Sequence, residues 1–183
     1  MSGWKAKRKV MLRYDITSEM YDERYKEEQC RKYCRALQNV DVKDMVVLDL
    51  GCGSGLFFNE VASKTETVIG VDVSLKLLQK AKEKASICGN VSVLQADADH
   101  LPFRDESFDG AFAYTVLQNL PRPKETLKEL GRVLKCKGKI VVTGLKKAFS
   151  LDAFMDILED CELNLTTFID DEKINCYVAV LSA

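Results

Sequence analysis

A chain of 183 residues, 46% hydrophobic and 30% charged, is long enough for one full core and too ordinary in composition to be fibrous or disordered. Its net charge of −1 provides no global pull toward nucleic acid, and no run approaches the roughly 18 apolar residues of a membrane span. The seven cysteines, Cys30, Cys34, Cys52, Cys88, Cys136, Cys161 and Cys176, form no Cys-x-x-Cys pair, and His100 is the sole histidine, so no metal site and reduced thiols in a cytoplasmic protein are expected.

The first 44 residues precede the pattern of a sheet and are expected to form a basic arm and a helix. Residues 1–13 hold Lys5, Lys7, Arg8, Lys9 and Arg13 and no acid, which reads as a solvated, partly disordered tail or as an arm that touches phosphates. Residues 18–38 carry helix formers, with Tyr21, Tyr25, Tyr33 and Leu37 near helical spacing. The dipeptide Tyr-Asp occurs at 14–15 and again at 21–22. These tyrosines either pin the helix to the domain or act as a lid, with Tyr14 and Tyr21 closing over a ligand.

From residue 45 to 183 the pattern alternates. Strands are expected near 45–50, 67–72, 91–96, 108–114 and 139–143, and helices near 56–63, 74–88, 123–135 and 150–160. Two last strands, near 163–170 and 174–182, are joined by a connection so short that only an antiparallel pair fits. The most informative stretch is Val46-Val47-Leu48-Asp49-Leu50-Gly51-Cys52-Gly53-Ser54-Gly55. It reads as a buried strand, a turn with glycine at every second position, then a helix. Glycine lets the backbone turn tightly and approach a ligand, and the helix N–H groups then face the site. The spacing misses the dinucleotide Gly-x-Gly-x-x-Gly, because Leu56 stands at the third position. Asp49, Asp72 and Asp97 end three successive strands, and in an open parallel sheet such ends converge on one crevice. Asp72, 21 residues after Gly51, fits an acid that accepts hydrogen bonds from a ribose, or else a helix N-terminal acid.

The Asp-x-Gly-x-Gly-x-Gly turn resembles motif I of the class I S-adenosylmethionine (SAM)-dependent methyltransferases. Leu101-Pro102-Phe103-Arg104-Asp105-Glu106-Ser107-Phe108-Asp109 and Leu130–Lys139 are similar to that family's approaches to strands four and five, with Cys136 in place of the usual proline. The resemblance, to small single-domain members of the type 11 kind, covers about residues 45–183. It implies an α/β, Rossmann-like, seven-stranded and mostly parallel sheet, with an antiparallel C-terminal hairpin strand and helices on both faces. It implies SAM as cofactor, S-adenosylhomocysteine as product, and methyl transfer by in-line displacement. The cofactor set it implies is Asp49, Gly51, Cys52, Gly53, Gly55, Asp72, Val73, Asp97, Ala98 and Tyr114, with Asp97 meeting the adenine amino group.

The acceptor is expected beyond strand four, at Tyr114-Thr115-Val116-Leu117-Gln118-Asn119, where methylases of exocyclic amines often carry Asn-Pro-Pro-Tyr and this chain does not. Tyr114 and Asn119 are candidate catalytic contacts, and Tyr14, Tyr21, Gln118 and Lys146 candidate substrate contacts. Loop packing is the alternative role of Tyr114, Gln118 and Asn119. The Tyr-Asp repeats resemble small methyltransferases of RNA or translation factors, some of which use a small zinc-ribbon activator. RNA is the acceptor expected first, with a small molecule or protein as alternatives. A non-catalytic SAM-fold binding subunit is the alternative of another class.

Overall fold

The computed structural model describes residues 3–159 and 161–183. It opens with two helices, α1 (Gly3–Thr17) and α2 (Tyr21–Leu37), joined by a 3-10 turn at Ser18–Met20. Helix α1 corrects the reading of residues 3–13 as a solvated tail. Its inner face carries Lys7, Val10, Met11 and Tyr14, at i, i+3, i+4 and i+7, and Lys7 is buried. A charged residue at the centre of the stripe hid the period. Residues 1–2 of the expected arm, and residue 160 at the end of an expected helix, lie outside the described residues.

The alternating part follows as β1 (Val46–Leu50), α3 (Phe58–Val61), β2 (Thr67–Asp72), α4 (Leu75–Cys88), β3 (Val91–Gln95), β4 (Phe108–Ala113), α5 (Pro123–Val133), β5 (Leu134–Leu145), α6 (Leu151–Glu159), β6 (Asn164–Asp170) and β7 (Cys176–Ser182). The seven strands form one sheet in the order β3-β2-β1-β4-β5-β7-β6. β1 to β5 are mutually parallel, while β7 runs antiparallel to both β5 and β6. The strand order reverses between β1 and β4, and a crevice opens there at the carboxyl ends of the strands.

Alternation along β1 sends Val47 to one core and Leu48 and Leu50 to the other. The first core packs Tyr33 of α2, Phe57, Phe58 and Leu78 of α4 against one face of the sheet. The second packs Leu127 and Leu130 of α5 with Phe154 and Leu158 of α6 against the other. Two elements differ from expectation. Helix α3 is shorter than 56–63, because Phe58 and Glu60 bond back three residues, to Gly55 and Phe57, and so continue the turn. β5 starts at Leu134, where the end of a helix and then a turn were expected. Leu134 pairs with Phe108 before a register shift, and Lys137 takes the kink at φ 67°. No helix among the described residues is long and apolar enough to cross a membrane.

Candidate functional site

At the end of β1, Gly51 and Gly53 adopt φ of 71° and 55°, the left-handed region open to glycine. A Cβ on Gly51 would strike the Val116 side chain, and one on Gly53 would lie 3.0 Å from the Tyr21 hydroxyl. The turn is tied to β2: the N–H groups of Gly51 and Cys52 donate to the Val71 carbonyl at 2.7 and 3.0 Å. Asp72 closes the loop. Its carboxylate accepts from Gly53 N–H at 2.9 Å and from Ser74 N–H, which caps α4, at 2.8 Å. Burial pushes the Asp72 pKa up, against the pull of these backbone bonds.

Asp49 is 2% exposed and its Oδ2 has no hydrogen-bond partner. Desolvation first, and the charge of Asp72 second, raise its pKa to about 8. A buried carboxylate oxygen without a donor is costly in a free protein and is suited to a ligand that brings a donor or positive charge.

Helices α1 and α2 lie over this strand end and make a cavity of about 640 Å³. Three acids hold the helices in place. Asp15 accepts from the Ser74 hydroxyl at 2.6 Å at the start of α4. Asp22 accepts from the Ser54 hydroxyl in the glycine turn and pairs with Lys84 at 2.6 Å, while Lys84 also donates to the Ser54 carbonyl at 2.8 Å. Asp97 pairs with Lys7 of α1, which also reaches Asp99 at 2.5 Å. Burial works to raise the Asp97 pKa, but the hydrogen bond and charge of Lys7 prevail and lower it. Lys7 and the Asp99 N–H both donate to Asp97 Oδ1, and Asp97 lines the cavity. Tyr14, Tyr21 and Tyr25 follow one another along the helices with ring centroids 6.0 and 5.0 Å apart, and all three line the cavity.

The opposite wall comes from the end of β4. Thr115, a β-branched residue, sits at φ 62°, strained backbone of the kind that clusters at functional sites. Its N–H donates to the Thr143 hydroxyl at 2.7 Å, and its own hydroxyl accepts from Lys32 at 2.9 Å and from Gln29 at 3.2 Å. Lys32 is wholly buried and also contacts Glu28 at 2.9 Å. Asn119 receives Arg13 at 2.8 Å and donates to the Tyr14 hydroxyl at 3.2 Å, so it ties α1 to the loop.

Of the residues singled out from the sequence, Gly51, Asp72, Val73, Asp97 and Ala98 line the cavity on the β1–β3 side. Tyr14, Tyr21, Tyr114, Gln118 and Asn119 line it on the side of the helices and β4. Asp49, Gly53 and Gly55 lie behind this surface, and Cys52 turns inward against Gly70, whose Cβ would come within 3.0 Å of its Sγ. Lys146 does not reach the cavity: it pairs with Asp170 at 2.6 Å and rests on the Tyr177 ring, whereas Lys147 lines the cavity. The two lysines sit in the turn that follows β5, where the Ala148 and Phe149 N–H groups bond back to the Leu145 carbonyl, and they point to different neighbours. Lys84 and Lys32 were not singled out, and Lys7, Asp22 and Thr115 were read only as parts of the basic arm, the Tyr-Asp repeat and the loop after β4. The acids beside the two tyrosines were visible as a repeat, but their partners lie more than 30 residues away.

With this geometry in view, the comparisons agree with one another. The family model of the methyltransferase domain matches residues 48–142, just over half of the chain. The demethylmenaquinone methyltransferase of Staphylococcus aureus is 37% identical over 111 residues, 58% of this chain and 46% of that protein. The chain spans about half the length of the curated relatives it matches. A SAM-dependent methyltransferase from Aquifex aeolicus shares the fold at a TM-score of 0.78 and 22% identity, covering 92% of this chain and 97% of that one. A structure of the Haloferax volcanii Trm112 methyltransferase activator with a putative methyltransferase matches at a TM-score of 0.79 and 20% identity, over 93% and 97% of the two chains. Sequence match, sheet order and strand-end acids together place the chain in the class I SAM-dependent methyltransferase family.

Proposed function

We propose that the chain is a SAM-dependent methyltransferase that works on a compact acceptor group inside the roofed cavity. The observation that carries the reading is the meeting at one strand end of a left-handed glycine turn and three carboxylates, Asp72 and Asp97 lining the cavity and the orphaned Asp49 buried directly behind its surface. The donor set fits the cofactor. SAM brings an ammonium, ribose hydroxyls and an adenine amine, all donors, and the carboxylates of Asp49, Asp72 and Asp97 are acceptors. When bound, the cofactor supplies a methyl group activated on a sulfonium. Asp72 orients the ribose and, through Gly53, holds the turn beneath it. Asp49 balances positive charge. Helices α1 and α2 exclude water, and Tyr114 to Asn119 present the acceptor. Such positioning contributes up to roughly 7–11 kcal/mol to a reaction between well-oriented partners.

The test is calorimetric titration with SAM and S-adenosylhomocysteine, followed by turnover with methyl-labelled SAM on small-molecule, RNA and protein fractions. Absence of binding to either ligand would sink the reading; binding without turnover on any fraction would leave the silent-subunit alternative standing.

A second reading has an RNA acceptor and a small zinc-ribbon activator. Two observations favour it: the likeness to the chain solved with the Trm112 activator, and Lys5, Arg8 and Lys9, which all face outward from α1. The small-molecule reading is preferred because Lys7 and Arg13, the other two cations of that segment, are turned to carboxylates and to Asn119 within the protein.

A further inference from the structure

Three residues that line the cavity, Glu28 of α2 and Tyr114 and Gln118 after β4, each hold a buried oxygen that lacks a hydrogen-bond partner: Glu28 Oε1, Tyr114 Oη and Gln118 Oε1. Each is fixed in place. The Gln118 amide nitrogen donates to the Thr115 carbonyl at 2.5 Å, which leaves its oxygen turned away. Glu28 Oε1 lies 2.9 Å from Lys32 Nζ, an ion-pair contact without the angle of a hydrogen bond. Tyr114, 6% exposed, is wedged against Tyr33, Phe57 and Phe112 with centroids 4.7, 5.1 and 5.9 Å away. Thr115 joins the group: it is sequence neighbour to Tyr114, bonded to Gln118 through its carbonyl and to Lys32 through its hydroxyl. Protein interiors rarely leave such atoms unpaired, and each costs free energy until a donor arrives.

Two of the three are acceptors only and the Tyr114 hydroxyl can both accept and donate, so the group that suits them both donates and accepts, as a hydroxyl does. The row of Tyr14, Tyr21 and Tyr25 rings belongs to the same wall, Tyr21 and Tyr25 preceding Glu28 on one face of α2, and favours a flat aromatic body. Resting on the methyltransferase reading above, we propose that this wall is the acceptor subsite and that it takes a small aromatic hydroxyl, with Glu28 as the proton acceptor. As the acceptor oxygen forms its bond to the methyl carbon, the carbon–sulfur bond breaks with its electron pair left on sulfur, and the hydroxyl proton passes to Glu28. Lys32 does not line the cavity. It acts as a positioning residue that holds Glu28 and the strained Thr115, and its charge favours the electron-rich oxygen that forms as the proton leaves.

The experiment uses the full chain saturated with S-adenosylhomocysteine and titrates phenol, aniline and toluene by ligand-observed NMR. Phenol should bind at least tenfold tighter than toluene, and Tyr114→Phe together with Gln118→Leu should erase that preference. With methyl-labelled SAM, label should appear in anisole, and Glu28→Gln should lower kcat by about 100-fold or more, with S-adenosylhomocysteine affinity held at the wild-type value. Toluene binding as tightly as phenol, or a preference that survives the double variant, overturns the subsite. Label entering N-methylaniline and not anisole overturns the hydroxyl in favour of an amine. Failure of the underlying reading is distinct, because the protein would then not bind S-adenosylhomocysteine at all.

Discussion

Asp49 gives a test in which cofactor site and stability are read from one residue. Its carboxyl is 2% exposed, has an orphaned Oδ2, and is raised to about 8 by desolvation and then by Asp72. In an unfolded chain the group titrates near about 3.9. Between those values the folded protein holds a proton that the unfolded chain has lost. The stabilisation is therefore complete below about pH 4 and is lost as pH rises through about 8, at no more than about 1.4 kcal/mol per pH unit. Four units would give on the order of 5 kcal/mol as an upper bound, and relaxation of the site reduces this to a few kcal/mol. Asp49→Asn should therefore be nearly neutral at pH 5 and stabilise the ligand-free protein at pH 9. Taking about 2–4 °C per kcal/mol for a chain of this size, the rise in Tm should be roughly 5–10 °C at pH 9. Binding should show the reverse face of the same linkage. A cation placed against Asp49 favours its ionised form, so SAM binding near pH 6.5 should release close to one proton. Calorimetry in buffers of different ionisation enthalpy reads that number directly, and Asp49→Asn should remove it. Asp72 relaxes in the same variant, so the difference reports the coupled pair. Buffer-independent binding heats in the wild type, with parallel Tm–pH profiles for the two proteins, would refute the reasoning.

Gly53→Val should abolish SAM binding in a protein that still folds, since it places a branched side chain at φ 55° against Tyr21; unchanged affinity by calorimetry would show that the turn is not the cofactor loop. Asp72→Ala should weaken SAM by about 1.5–3 kcal/mol or more, because the same carboxylate also accepts from the N–H groups of Gly53 and of Ser74, the residue that caps α4, and wild-type affinity would misplace the ribose. Lys7→Met strands Asp97 and Asp99 together, so amide exchange in α1 should speed up selectively, and an unchanged exchange pattern would show that the ion pair does not hold the helix. For an RNA acceptor, neutralising Lys5, Arg8 and Lys9 should flatten the log–log salt dependence of RNA affinity by roughly 0.7 per lost phosphate contact, whereas a small-molecule acceptor predicts no change in KM.

How much was legible depended on whether a constraint is local. The mostly parallel sheet and its antiparallel end could be read because each βαβ step is a run of apolar residues, a turn and an amphipathic helix, and because Asp170–Lys173 leaves room only for a reversal. The glycine turn was legible for the same reason: Gly51 and Gly53 need φ values that few other residues adopt, and that need is written at the position itself. The roof over the site was not. Whether Lys7 is solvated or buried is decided by Asp97 and Asp99, some ninety residues on, and nothing in residues 1–13 announces it. Lys32 is the same case, a cation in a strongly polar helix whose burial follows from Thr115 at the end of β4. The repeated Tyr-Asp dipeptide shows where the two kinds of information meet. Read alone, its tyrosines posed a choice between pinning the helices and closing the site. In the fold the acids do the pinning, Asp15 at Ser74 and Asp22 at Ser54 and Lys84, and each adjacent tyrosine is thereby turned into the cavity. Fastening and lining are thus divided between neighbours in each pair, so breaking the Asp22–Ser54–Lys84 contact should release Tyr21 from the glycine turn without removing a single atom from the cavity wall.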